Sequence, residues 1–126
     1  MALVYGKARE DAREGSLVRV GVLDRLGRFY LEASIRRRFG WDTETEFAFR
    51  VERDIIVMAP RESLRRSAIG AVGRMEPSFR ISVPSAMRRL VGLAPGEPVA
   101  FEVLDSGVIL LRRGPVPTRV AGASLG

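Results

Sequence analysis

GVLDRLGRFYLEASIRRRFGWDTETEFAFRV (residues 21–51) and GRMEPSFRISVPSAMRRLVGLAPGEPVAFEV (residues 73–103) decide the reading of this chain, because they superimpose at a constant offset of 52. The offset sets Arg28 on Arg80, Arg36 on Arg88, Arg37 on Arg89, Gly40 on Gly92 and Phe49 on Phe101. Apolar positions coincide as well: Leu31 with Val83, Ile35 with Met87, Phe39 with Val91, Trp41 with Leu93, Phe47 with Val99. Such a period reads as one supersecondary unit used twice. A unit of about forty residues is marginal alone, so both are expected to share one core within the 126-residue chain. Beyond the core, the units share arginine and glycine at fixed places, which points to a duplicated basic surface as the seat of function.

Each unit reads β-β-α-β-β. Residues 17–22 alternate as a half-buried strand does, Asp24-Arg25-Leu26-Gly27 supplies a turn whose glycine can take positive φ, and Arg28 begins a second strand. Residues 34–39 and 85–91 read as short helices, with Ser85 as an N-cap and Gly40 and Gly92 as left-handed C-terminal residues. Residues 47–58 and 99–111 read as hairpins. The organisation is then a flexible extension (1–16), a first unit (17–60), a connector (61–71) with a helical turn near Leu64, a second unit (72–113) and a flexible tail (114–126).

The net charge is +6, and Lys7 is the only lysine. Arginine presents a planar fork suited to phosphate and guanine, although a GC-rich genome gives the same bias. Its distribution says more. Residues 21–41 carry five arginines against Asp24 and Glu32, whereas residues 42–60 carry two against five carboxylates. Arg74, Arg80, Arg88 and Arg89 against Glu76 repeat the basic part, predicting one phosphate-attracting face. With no histidine or cysteine, no metal site, cofactor or enzymatic activity is expected. Asp24 and Glu76 occupy matched positions, but no Asp-Thr-Gly element accompanies them and each lies near an arginine, so they read as ion-pair partners. No apolar run reaches the ~20 residues of a membrane span and no signal-peptide core is visible, so a cytoplasmic, nucleoid-associated location is expected.

Asp24-Arg25-Leu26-Gly27-Arg28, the apolar strand after it, Ile35-Arg36-Arg37 and Gly40-Trp41 resemble the AbrB/MazE/SpoVT swapped-hairpin transcription regulators. The second unit adds Val83-Pro84-Ser85-Ala86-Met87-Arg88-Arg89-Leu90-Val91-Gly92, then Ala94-Pro95-Gly96-Glu97 and Gly107-Val108-Ile109-Leu110. The resemblance covers residues 17–60 and 72–113. It implies a mostly β fold with two short helices, an AbrB-like β-barrel formed from two tandem ββαββ repeats with exchanged hairpins. It also implies a double-stranded DNA partner. Carried over by position, Arg28 and Arg80 match the Arg of the Leu-Gly-Arg element, and Arg36, Arg37, Arg88 and Arg89 match the Arg pair; Arg25 is an addition in the same turn. Glu32 stands where the pattern has proline, and Phe79 stands at the turn glycine, so the second turn is expected to be built differently and the first unit to matter more.

DNA-binding transcription regulation through these seven arginines is the expectation. The alternative is an antitoxin-like or assembly module that binds protein, with further self-association of chains. A single charge, Arg119, in the tail argues against a toxin-wrapping segment. Trp41 and Phe39 match apolar partners and are expected in the core; one of Arg36 and Arg37 is expected to bond a carboxylate, Asp24.

Overall fold

The computed structural model describes residues 17–114. The expected extension (1–16) and all of the expected tail except Gly114 lie outside them.

The chain forms β1 (Leu17–Val22), β2 (Arg28–Tyr30), α1 (Ala33–Phe39), β3 (Glu46–Glu52) and β4 (Ile55–Pro60). Two 3-10 turns follow, Arg61–Ser63 and Arg66–Ala68. The same order returns as β5 (Ala71–Arg74), β6 (Arg80–Ser82), α2 (Ser85–Val91), β7 (Pro98–Val103) and β8 (Ile109–Arg113). The helices are short because each is stopped by glycine: Gly40 (φ 71°) and Gly92 (φ 76°) take the left-handed conformation and turn their N–H groups back to the carbonyls of Arg36 and Arg88. Neither helix has a side-chain N-cap. Ser85 is the first helical residue after Pro84, not the cap, since the fixed φ of proline already sets the entry.

Six strands form one antiparallel sheet in the order β1-β7-β8-β4-β3-β5, and β2 and β6 form a separate two-stranded ribbon. The hairpins are exchanged between halves. β1 runs against β7 (Val20 opposite Ala100), and β5 runs against β3 (Val72 opposite Ala48). The two hairpins meet along β4 and β8, where Val57 faces Leu110. The sheet is open among the described residues, which corrects the expectation of a closed barrel. The reason is local: the chain leaves β1 at Leu23 and β5 at Met75 for tight turns, and β2 and β6 then pair with each other instead of joining the sheet edges.

One face of the sheet, the ribbon and the helices enclose the core. Phe47, Phe49, Ile56, Met58, Val99, Val103, Ile109 and Leu111 point inward at alternate positions, and Phe29, Ile81, Ile35 and Met87 cover them. Trp41 is buried, stacked on Phe39 at 4.6 Å and edge-on to Phe47 at 5.0 Å. On β1, Val18, Val20 and Val22 are exposed along one side of an edge strand.

Candidate nucleic-acid interface

The β2/β6 ribbon is three residues deep, and its register pairs Phe29 with Ile81, positions 52 apart. Both are buried. Strand alternation therefore turns Arg28, Tyr30, Arg80 and Ser82 to the outer side. The turns entering the strands flank this surface. Asp24 Oδ1 accepts from the N–H groups of Leu26 and Arg28, and the Gly27 N–H reaches the Asp24 carbonyl at 2.9 Å. Glu76, Phe79 and Arg80 close the second turn with matching bonds: Phe79 N–H to Glu76 O at 2.7 Å, Glu76 N–H to Arg80 O at 2.8 Å. Phe79 takes φ 63° against 79° for Gly27. The backbone of the second turn thus follows that of the first, contrary to expectation, although among the described residues the Glu76 side chain accepts none of the backbone N–H bonds that Asp24 accepts.

The left-handed phenylalanine is held by the other half. The Arg36 guanidinium stacks on its ring at 3.7 Å, and its carbonyl accepts from the Leu31 N–H at 2.9 Å. Arg36 Nε also donates to the Leu31 carbonyl at 2.8 Å. Arg88 repeats this on the opposite turn: its Nε donates to the Val83 carbonyl at 2.9 Å, and its guanidinium lies where a Cβ on Gly27 would stand. Arg36 and Arg88 therefore clamp each half's helix to the other half's turn.

Arg28 is committed as well. Its Nε donates to Asp24 Oδ2 at 2.7 Å and its Nη1 to Glu76 Oε1 at 2.7 Å. The two carboxylates at matched positions share this one guanidinium. Asp24 thus bonds Arg28, not Arg36 or Arg37 as expected, because the turn closes it onto the residue four places on. The Arg28 N–H bond leads the effects that hold the Asp24 carboxyl below its ordinary range, and the Asp24 carboxylate in return raises the Arg28 guanidinium. Glu32 is also held low, first by the Ser34 hydroxyl and then by Arg19 at 3.0 Å.

Four of the seven predicted arginines keep accessible forks. Arg25 at the turn tip and Arg37 and Arg89 on the outward helix faces are exposed and have no hydrogen-bond or ion-pair partner among the described residues. Arg80 is partly exposed, with its Nε 3.9 Å from Asp24. Two features escaped the sequence reading. Tyr30, 49% exposed, stands on the ribbon within 3.4 Å of Arg36 Nη2, and the alternation after Phe29 could have placed it there. Arg38 pairs with Asp105 of the β7–β8 loop, a contact 67 residues apart that no local pattern signals. Among the described residues no group of three or more acidic, histidine or cysteine side chains is placed to hold a metal, and no helix is long and apolar enough to cross a membrane.

No family model matches the chain, and no curated protein matches it. Among solved structures, the chain is similar to the solution structure of PHS018 from Pyrococcus horikoshii, at 19% identity and a TM-score of 0.43, covering 78% of this chain and 92% of that one.

Proposed function

We propose that this chain binds double-stranded DNA as a transcription regulator, and that it is a single-chain, tandem ββαββ version of the AbrB/MazE/SpoVT swapped-hairpin regulators. The observations that support this reading are the paired strands β2 and β6, which turn Arg28, Tyr30 and Arg80 outward, and the accessible guanidiniums of Arg25 at a turn tip and of Arg37 and Arg89 on the two short helices. A two-stranded ribbon fits the major groove, whose width is about 12 Å. Phosphate contacts supply affinity and register, and base edges supply preference. Arg28, Arg36 and Arg88 act behind this surface, holding the turns at the spacing the groove requires.

A second reading rests on a different observation. β1 is a six-residue edge strand without proline or lysine, and three exposed valines line it. Exposed apolar edges of that kind favour strand pairing with another chain, as an assembly module would use. Mobility shift of randomised duplex DNA, with sequencing of the bound pool, separates the two. Retarded duplex enriched in a motif supports regulation. Chains that retard no duplex yet associate with each other support assembly.

A further inference from the structure

We infer that the two halves of this chain read different half-sites, the half carrying the Asp24–Arg28 turn reading bases and the other half anchoring phosphates. This rests on the DNA reading above. The frame of the face is the same on both sides: Asp24 and Glu76, Arg28 and Arg80, Arg36 and Arg88, Arg37 and Arg89 stand at matched positions. The turn tips and one outward ribbon position are not matched. At the offset of 52, Arg25 and Leu26 of the first turn correspond to Pro77 and Ser78 of the second, and Tyr30 of β2 corresponds to Ser82 of β6.

These differences are concentrated where a ligand would touch. Leu26 is 66% exposed, although its position in the turn gives it no core to cover. Arg25 beside it is exposed and unpartnered among the described residues. An arginine fork is matched to the O6 and N7 acceptors of guanine, and an exposed aliphatic tip to the methyl of thymine. Pro77 offers no donor and Ser78 a short, undiscriminating one. Charge is divided the opposite way. The first half's Arg28 is held by two carboxylates at 2.7 Å each, whereas the second half's Arg80 has one carboxylate at 3.9 Å and is the freer phosphate ligand. In a twofold homodimer every substitution occurs in both half-sites. A chain that carries both halves is released from that constraint, and the unmatched tips use the release. The target is therefore a non-palindromic duplex with one informative half containing guanine next to thymine.

Selection from randomised duplex with the full chain, followed by affinity measurement for Arg25→Ala, Leu26→Ser and Arg80→Ala, tests this. These side chains are exposed or partly exposed, and equal thermal midpoints will confirm that each variant folds. The expected motif has one strongly and one weakly constrained half. Arg25→Ala should lose about tenfold or more on the selected duplex with about no change on random duplex. Arg80→Ala should weaken all duplexes alike and reduce the salt slope by about one. A palindromic motif with equally constrained halves, or an Arg25→Ala variant that weakens selected and random duplex equally, overturns the inference and leaves the DNA reading standing. A wild-type chain that binds no duplex overturns both.

Discussion

Replacing Glu76 by glutamine removes one of the two carboxylates that occupy the Arg28 guanidinium and leaves the Asp24 turn intact. Glu76 is the better choice because Asp24 also accepts two backbone N–H bonds that define its turn, whereas the Glu76 side chain is bonded to Arg28 alone among the described residues. In the wild-type chain Arg37, Arg80 and Arg89 have accessible forks for phosphate while Arg25 is assigned to bases, so log K against log salt should fall with a slope of about −0.9 × 3, or about −2.7. Six phosphate-bound arginines from the two Arg pairs plus Arg28 and Arg80 would instead give about −5.4. In E76Q the carboxylate charge that holds Arg28 Nη1 is replaced by a neutral amide oxygen, a weaker acceptor from which a phosphate can draw the guanidinium, while Nε stays on Asp24. One further phosphate contact adds about 0.9 to the slope magnitude, which corresponds to about eightfold tighter binding at about 0.1 M salt. Fluorescence anisotropy of a labelled duplex over a salt series measures both quantities. A wild-type slope near −5.4 would show that Arg28, Arg36 and Arg88 abandon their intramolecular partners on binding. An E76Q variant identical to wild type in slope and affinity would show that Arg28 lies away from the DNA.

Arg36→Ala and Arg88→Ala should each destabilise the fold by about 1–3 kcal/mol, through loss of a charge-assisted bond to a carbonyl and, for Arg36, of stacking on Phe79; chemical denaturation measures this, and unchanged stability would place both outside the fold's framework. A fragment ending at Arg61 should be unfolded or an obligate dimer, because β1 takes its partner from β7 and β3 takes one of its two from β5; sedimentation showing a folded monomer would contradict the exchanged topology. Asp24 and Glu32 titrate below their unfolded values, so the stability they contribute is complete above pH ~4 and is lost as pH falls through their lower folded values. Denaturation midpoints should be flat near neutrality and decline in acid, less steeply in D24N; an equal acid decline in D24N would remove Asp24 from this role.

Much of the fold is legible in the sequence where the cause is local. Alternation announces β1 and the hairpins, Gly40 and Gly92 end the helices, and the offset of 52 matches the exchanged registers. What the pattern does not carry is the partner of a charged side chain across the fold. Nothing near Arg36 indicates that it will lie on Phe79, and nothing near Arg28 indicates that Glu76 will reach it from 48 positions away. Phe79 looks like a broken turn in sequence, because a left-handed phenylalanine is costly until the Arg36 stack and the Leu31 N–H stabilise it. Closure of the sheet was illegible for a related reason: it depends on whether β2 and β6 pair with each other or with the sheet edges, and both choices satisfy the same alternation.

The central claim is that exposed arginines of the turns, the ribbon and the two short helices hold duplex DNA, and the double substitution of Arg37 and Arg89 by alanine tests it most directly. Both side chains are exposed on the outward helix faces and have no partner among the described residues, so the variant should melt as the wild-type chain does. Salt-dependent binding of the variant to both selected and random duplex should show weaker affinity throughout and a slope magnitude lower by about 0.9 × 2, or about 1.8. A folded variant that binds every duplex with wild-type affinity and wild-type slope would contradict the account.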